Sequence, residues 1–233
     1  MKKFFKSLML ISVCLGLSAT VNAKTFRYAT TGDILGLDPH ANNEGPTNTM
    51  KGNIYGRMLH RKADLSLEPD LATKWEKLDA NTWRFSLRRG VKFHNGNDFN
   101  ADDVLFSYKR QTQEASDMSF ALATIKQINK VDDYTVDLIT KGPDPILLLN
   151  MPMFYIVDKE WTEANNAFEV VRASGSTNFA NVNTNGTGPF KVVEWIQDTR
   201  IVLEPFEGYW GKNQIQHNLF HNRQYVQYQL HLS

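Results

Sequence analysis

The chain has 233 residues, and its 26 Lys and Arg side chains nearly balance 25 Asp and Glu, which leaves a formal net charge of +1. This balance, without any basic stretch, argues against a surface built for nucleic acid. The single cysteine, Cys14, rules out a disulfide-stapled fold.

The first 23 residues have the layout of a secretory signal peptide. Three lysines precede an apolar run from Leu8 to Leu17, and a small-residue cleavage site ends at Ala23. The apolar run is too short to serve as a membrane-spanning helix. We therefore expect cleavage after Ala23 and a periplasmic mature chain that begins at Lys24.

The mature chain begins with patterns typical of both strands and helices. Residues 25–30 predict a strand, and Thr47 is expected to cap a helix that runs to about Leu59. Apolar and polar side chains alternate over residues 82–88, which predicts a half-buried strand. Its expected hairpin partner is the segment 73–78.

A capped helix is predicted next. Asn100 precedes the acids Asp102 and Asp103, a pattern that indicates an N-cap and a first helical turn. This helix is expected to run to about Arg110. Residues 91–93 before it predict a short strand.

The remaining segments continue the mixed α/β pattern. Strands are predicted at 134–138, 154–157, 189–196 and 200–206, helices at 144–149 and 159–164, a short helix or irregular segment at 120–128, and a small-residue linker at 173–189.

Several short sequences stand out along the chain. They are GDILGLDPH at 32–40, IYGRML at 54–59, the stretch from LATKWE to FNADDVLFSY within 69–110, NGTGPFKVVEW at 185–195 and EGYWG at 207–211. In this order they resemble the signature motifs of the family 5 bacterial extracellular solute-binding proteins. IYGRML departs from the family pattern, because the usual acid is missing. The family contains the dipeptide- and oligopeptide-binding components of ABC importers.

This resemblance implies an α/β fold of the periplasmic-binding-protein type II. Residues 24–60 and 186–211 would form part of one discontinuous lobe, and residues 61–185 would form an inserted smaller domain. The second large lobe of the family would follow, so the chain is expected to be truncated before it. Residues 212–233, with their abrupt change of composition, are expected to be an out-of-frame tail outside the fold.

The resemblance also implies a ligand site in a cleft between lobes. The loop after the first strand would contribute Asp33, Ile34 and Leu35, and Phe120 would face the cleft from the other lobe. For Asp33 the alternative is a solvated turn acid. For Phe120 the alternative is ordinary core packing.

No arrangement of catalytic residues is visible in the sequence: G-x-S-x-G, H-E-x-x-H and a phosphate loop are all missing. His94 is expected to make a structural hydrogen bond rather than to act as a base. His217 and His221 have metal-ligand spacing, but an out-of-frame tail is the preferred interpretation. We therefore expect no enzyme activity, no cofactor and no metal.

These expectations combine into one hypothesis about function. The chain would be a periplasmic substrate-binding protein of an ABC importer that binds di- or oligopeptides in an interlobe cleft. Its partners would be the ligand and an inner-membrane ABC permease complex, and the protein would be a monomer. The alternatives are another small solute (nickel, haem, a sugar or an opine) or a non-functional truncated product.

Overall fold

The computed structural model describes residues 32–172 and 178–211, together with the backbone of two strands at 26–30 and 226–230. The predicted signal peptide lies outside the described residues. Within the described residues, no helix is both long and apolar enough to cross a membrane.

Ten strands and five α-helices make up the described part of the chain. The strands are β1 (Phe26–Thr30), β2 (Leu59–Arg61), β3 (Leu67–Pro69), β4 (Ala72–Lys77), β5 (Thr82–Leu87), β6 (Ile125–Asp132), β7 (Thr135–Thr140), β8 (Phe190–Ile196), β9 (Arg200–Pro205) and β10 (Val226–Leu230). The helices are α1 (Gly45–Ile54), α2 (Ala101–Gln111), α3 (Leu147–Asn150), α4 (Lys159–Ala164) and α5 (Phe179–Val182). Short 3-10 turns lie at Ser119–Leu122 and Met151–Met153.

One four-stranded sheet has the order β1-β10-β9-β8. Strand β10 pairs in parallel with β1 and antiparallel with β9, and β8 and β9 form a hairpin. Residues 212–233 are expected from the sequence to lie outside the fold. This expectation is wrong for the backbone of Val226–Leu230, which pairs with β1 on one side and with β9 on the other.

A second four-stranded sheet, with the order β4-β5-β7-β6, is fully antiparallel. The predicted hairpin of β4 and β5 is confirmed, and Phe85 and Leu87 on β5 point into the core, as the alternation required. The predicted helix α2 is confirmed as well. Its Asn100 side chain accepts from the Asp102 N–H (2.7 Å), and Asp103 accepts from the Asn100 N–H (2.9 Å), which forms a capping box.

Four local predictions differ from the structure. Helix α1 is capped by Glu44 rather than Thr47 and ends at Ile54. Residues 91–93 and 154–157 contribute only isolated bridges, at Lys92 and at Tyr155. The segment 125–132 is a strand, because tertiary pairing with β7 overrides its irregular apolar spacing.

Two hydrophobic cores fill the described structure. One lies on the antiparallel sheet and is drawn from residues between 58 and 156. The other combines residues of 34–55 and 190–203 with four residues of the expected inserted domain: Phe106, Met118, Tyr155 and Val157. Because the second core draws on both parts, the division into a lobe (24–60 and 186–211) and an inserted domain (61–185) stays a prediction.

The return segment at Gly186–Gly188 passes very close to the end of α1. The Gly188 N–H donates to the Ile54 carbonyl at 2.8 Å. A Cβ atom at Gly186 or Gly188 would collide with the Ile54 carbonyl group. Glycine is therefore required at both positions by the close approach of two backbone segments.

The position of β10 gives a first test. Gln229→Pro removes a backbone N–H from a strand that is paired on both sides, whereas Gln229→Ala keeps it. We expect the proline variant to lose at least about 1 kcal/mol of unfolding free energy relative to the alanine variant, the scale of one buried backbone hydrogen bond. Urea unfolding of both variants measures this difference. Equal stabilities would show that β10 contributes nothing to the sheet.

Candidate functional site

A buried ion pair holds the GLDPH motif on helix α2. The Arg110 guanidinium donates to both carboxylate oxygens of Asp38, at 2.8 and 2.6 Å. Both side chains are almost completely buried, at 1% and 0% exposure. Arg110 also donates through Nε to the Ala167 carbonyl at 3.0 Å. Burial alone would raise the pKa of Asp38, but the charge and hydrogen bonds of Arg110 hold it below its usual value.

His40 completes this cluster as a neutral side chain. Its Nδ1 accepts from Arg110 (3.0 Å), so its Nε2 carries the proton and donates to the Tyr155 carbonyl (3.0 Å). Burial, together with the charge of Arg110, lowers the pKa of His40 to about 3. The histidine therefore bridges α2 and the segment after α3 without a charge of its own.

The structure turns the Asp33 carboxylate toward the β8–β9 hairpin. It accepts from the Trp195 indole N–H at 3.2 and 3.3 Å and from the Asp198 backbone N–H at 2.7 Å. It also accepts from the Ile34 N–H at 2.8 Å. Asp33 thus fixes the loop on the hairpin turn rather than standing as a solvated turn acid. A partner separated by 162 residues could not be found from the sequence.

The other three predicted site residues differ in exposure. Ile34 is buried in the second core together with Met118, the residue just before the 3-10 turn that carries Phe120. Leu35 is 39% exposed, and its N–H donates to the Thr47 hydroxyl at 3.0 Å. Phe120 is 49% exposed, so ordinary core packing does not describe it. The loop and this turn therefore pack on one core and each presents one apolar side chain at the surface.

His94 makes the structural contacts expected of it. Its backbone N–H donates to the Gly186 carbonyl, its Nδ1 accepts from the Gly186 N–H (3.3 Å), and its Nε2 donates to the Gly188 carbonyl (3.0 Å). The ring packs edge-on against Phe206. Burial lowers the pKa of His94 to about 4. This neutral histidine joins the turn at residues 94–96 to the return segment at Gly186–Gly188.

Asp158, the N-cap of α4, is the centre of a second polar cluster. One of its oxygens accepts from the side-chain amides of Asn95, Asn97 and Asn185, at 3.0, 2.8 and 2.7 Å. The other accepts from the Trp161 N–H at 2.9 Å. No local pattern predicts this junction, because its members come from three distant segments.

Asp158 also belongs to a group of three carboxylates, the only cluster among the described residues whose spacing could hold a metal ion. Asp103, Asp158 and Glu160 each bring one oxygen within 4.8 Å of the others. Both oxygens of Asp103 already accept backbone N–H groups, from Asn100 and Lys159. Burial and the neighbouring acids raise the pKa of Asp103 to about 7. Because both oxygens of each buried acid already accept hydrogen bonds from backbone N–H groups or asparagine amides, we assign no metal to them.

A cavity of about 240 Å³ lies between the end of α1 and the segment EGYWG at 207–211, which contributes Tyr209 and Trp210 to its wall. Arg57 and Asp70 face each other in its wall, with Nε and a carboxylate oxygen 3.8 Å apart. Burial raises the pKa of Asp70 to about 6, against the opposing effect of Arg57. The ring of Trp210 closes one side and stacks on the Arg88 guanidinium at 3.8 Å.

Comparison with known proteins identifies the class of this fold. Residues 66–221 match the family model described as bacterial extracellular solute-binding proteins, family 5 Middle. The chain therefore belongs to family 5 of the bacterial extracellular solute-binding proteins. The implied fold, an α/β arrangement of the periplasmic-binding-protein type, is confirmed by the solved structures that it matches.

Individual relatives share the family and differ in their ligands. The dipeptide-binding protein of Escherichia coli is 32% identical over 223 residues, which cover 85% of this chain and 41% of that protein. Haem-binding protein A of Haemophilus influenzae is also 32% identical, over 80% of this chain and 37% of that protein. The chain thus spans about two-fifths of the length of these relatives.

A solved structure with a bound peptide is also similar. The periplasmic binding protein DppA from Helicobacter pylori, in complex with the peptide STSA, superposes with a TM-score of 0.76 at 26% identity. The match covers 90% of this chain and 43% of that chain.

The buried pair predicts a large effect of Asp38. Asp38→Asn leaves the Arg110 guanidinium buried without a counter-charge, which we expect to cost about 3–5 kcal/mol of unfolding free energy. The matched control is Asp137→Asn, which breaks a bidentate pair with the partly exposed Arg84 and should cost less than about 1 kcal/mol. Urea unfolding followed by circular dichroism compares the two. Similar losses in both variants would contradict a special role of the buried pair.

His94 predicts a loss of stability in acid. Its pKa in the folded chain, about 4, lies below the ordinary value of 6.5, so the unfolded chain takes up the proton first as the pH falls. The stability due to neutral His94 is present above pH 6.5 and is lost toward pH 4, by at most about 3 kcal/mol.

The control for this prediction is His94→Gln, which cannot titrate. The difference in unfolding free energy between the wild type and this variant should be constant from pH 7 to 8 and should shrink between pH 6.5 and 4. A difference that stays constant down to pH 4 would show that His94 is not held neutral.

Proposed function

We propose that this chain is part of a periplasmic substrate-binding protein of an ABC importer that binds di- or oligopeptides in an interlobe cleft. The observation that carries the proposal is the superposition on a peptide-bound relative of the same family, over 90% of this chain. The 32% identity to a dipeptide-binding protein supports the same ligand class. Membership of a solute-binding family favours a transport component rather than an enzyme.

The geometry of the loop at 33–35 suits the reception of a peptide main chain. Its backbone is fixed by Asp33 on the β8–β9 hairpin and by the Leu35 N–H on Thr47. Leu35 and Phe120 each supply exposed apolar surface. Extended peptides are bound through main-chain hydrogen bonds together with surface for alternate side chains, and this loop supplies a fixed main chain with Leu35 beside it.

Haem is the second candidate, because a haem-binding relative is as similar in sequence as the dipeptide-binding one. The proposed partners are the ligand and an inner-membrane ABC permease complex, with the binding protein acting as a monomer. The two ligand classes are separated by titrating the protein with a peptide pool and, in parallel, with haem while its absorption spectrum is recorded. A haem spectrum that shifts on binding, without any heat from peptides, would replace peptide by haem.

The chain on its own is expected to bind peptide weakly. A two-lobed receptor encloses its ligand, and both lobes supply contacts and exclude water. The loop at 33–35 offers a few exposed hydrogen bonds of about 1 kcal/mol each, whereas a micromolar complex requires about 8 kcal/mol. Calorimetry of residues 24–233 with pooled di- to pentapeptides measures the affinity. Micromolar binding would show that the main site lies within this chain.

A further inference from the structure

A second cavity, of about 360 Å³, lies beside the loop at 33–37. It is bounded by the edge strand β8, by α5 and by the first turn of α4. Its apolar walls are formed by Leu37, Trp161, Phe179, Val182, Val193 and Trp195. Val182 and Val193 are each 54% exposed, so two aliphatic side chains stand open to solvent at this cavity.

The one charged side chain in the lining of this cavity is already paired, and two of its polar side chains are bonded within the protein. Glu194 is the only charged residue in the lining, and the Arg200 guanidinium neutralises it through two hydrogen bonds, of 2.8 and 3.1 Å. The Asn183 side-chain amide donates to the Phe179 carbonyl at 3.0 Å. The Trp195 indole N–H is held by Asp33. A charged occupant would therefore find no unpaired counter-charge among the lining residues, which favours an uncharged one.

The walls suit an aromatic ring in particular. The rings of Trp161 and Phe179 are tilted by 56° with their centroids 5.4 Å apart, the geometry of a favourable aromatic pair. The ring of Trp195 is fixed by its bond to Asp33 and supplies a further aromatic surface. An added ring can contact these rings edge to face or offset, which adds to the effect of apolar burial.

We propose that this cavity binds one uncharged aromatic side chain of the ligand. The inference rests on the proposed function, since Leu37 in its wall lies two residues after the loop at 33–35 that would receive the ligand main chain. Trp195 links the two sites, because the same indole that lines the cavity is bonded to Asp33. Asp33 is then a positioning residue that orients the cavity wall.

The test uses the full chain labelled with 15N, with N-acetyl-phenylalaninamide as the probe and N-acetyl-lysinamide as the charged comparison. The indole N–H signals of Trp161 and Trp195 should shift saturably with the aromatic amide, while those of Trp75 and Trp83, on the other sheet, should not. We expect dissociation constants in the millimolar range for the aromatic amide and at least about tenfold weaker binding of the lysine amide. Equal binding of both amides, or no shift of Trp161 and Trp195, would overturn the proposal.

Two variants fill the cavity from its exposed side. Val182→Phe and Val193→Phe should each weaken binding of the aromatic amide by at least about tenfold. Val131→Phe is the matched control, because Val131 is 48% exposed on β6 and lies outside the cavity. Unchanged affinity in both folded cavity variants would overturn the proposal. A second copy of the chain as the occupant would also overturn it, and would appear as a dimer in ultracentrifugation that Val193→Phe dissociates.

Failure of the cavity and failure of the proposed function give different results. If the aromatic amide shifts Trp161 and Trp195 while haem binds in place of peptides, the cavity stands and peptide falls as the ligand class. If peptides bind equally well to the wild type and to both cavity variants, and the aromatic amide does not bind, only the cavity proposal falls.

Discussion

The buried pair of Asp38 and Arg110 is the interaction on which the arrangement of this chain depends. It joins a loop near the start of the described structure to the last turn of α2, 72 residues later. An ion pair without solvent gains little net free energy, because desolvation of both charges offsets their attraction. Its value lies in specificity: an Arg110 side chain that is not matched by Asp38 would be an unpaired buried charge, so alternative packings of the loop are strongly disfavoured.

The motifs that carry the family resemblance also contact one another. His94 of the signature stretch bonds to Gly186 and Gly188 of the return segment. Asn95 and Asn185, from the same two motifs, converge on Asp158. The motifs therefore hold distant segments together through hydrogen bonds between their polar groups. This explains why a search for catalytic or ligand-binding chemistry within them finds structural hydrogen bonds.

Local signals in the sequence were sufficient to predict the elements whose pattern is set by neighbouring residues. Periodicity and turn chemistry act over a few residues. They predicted the N-cap at Asn100, the alternation of β5 and the strands β8 and β9. The position of β10 and the orientation of Asp33 were not predicted. Both depend on partners far away in the chain, and a carboxylate in a loop carries no mark of the indole that it will bind.

The loop at 33–38 is fixed at four points over six residues. Asp33 bonds to the β8–β9 hairpin, Leu35 to α1, the Leu37 N–H to the Asn181 carbonyl in α5 at 2.9 Å, and Asp38 to α2. A backbone held in this way loses little conformational entropy when a ligand arrives, which favours binding. Its charged side chains and the N–H groups of Ile34, Leu35 and Leu37 are used in internal bonds, so the exposed side chain of Leu35 is the apolar surface left for the proposed ligand. In the proposed two-lobed receptor, a closing motion would take place outside residues 33–38, because this loop is tied to its neighbours at four points.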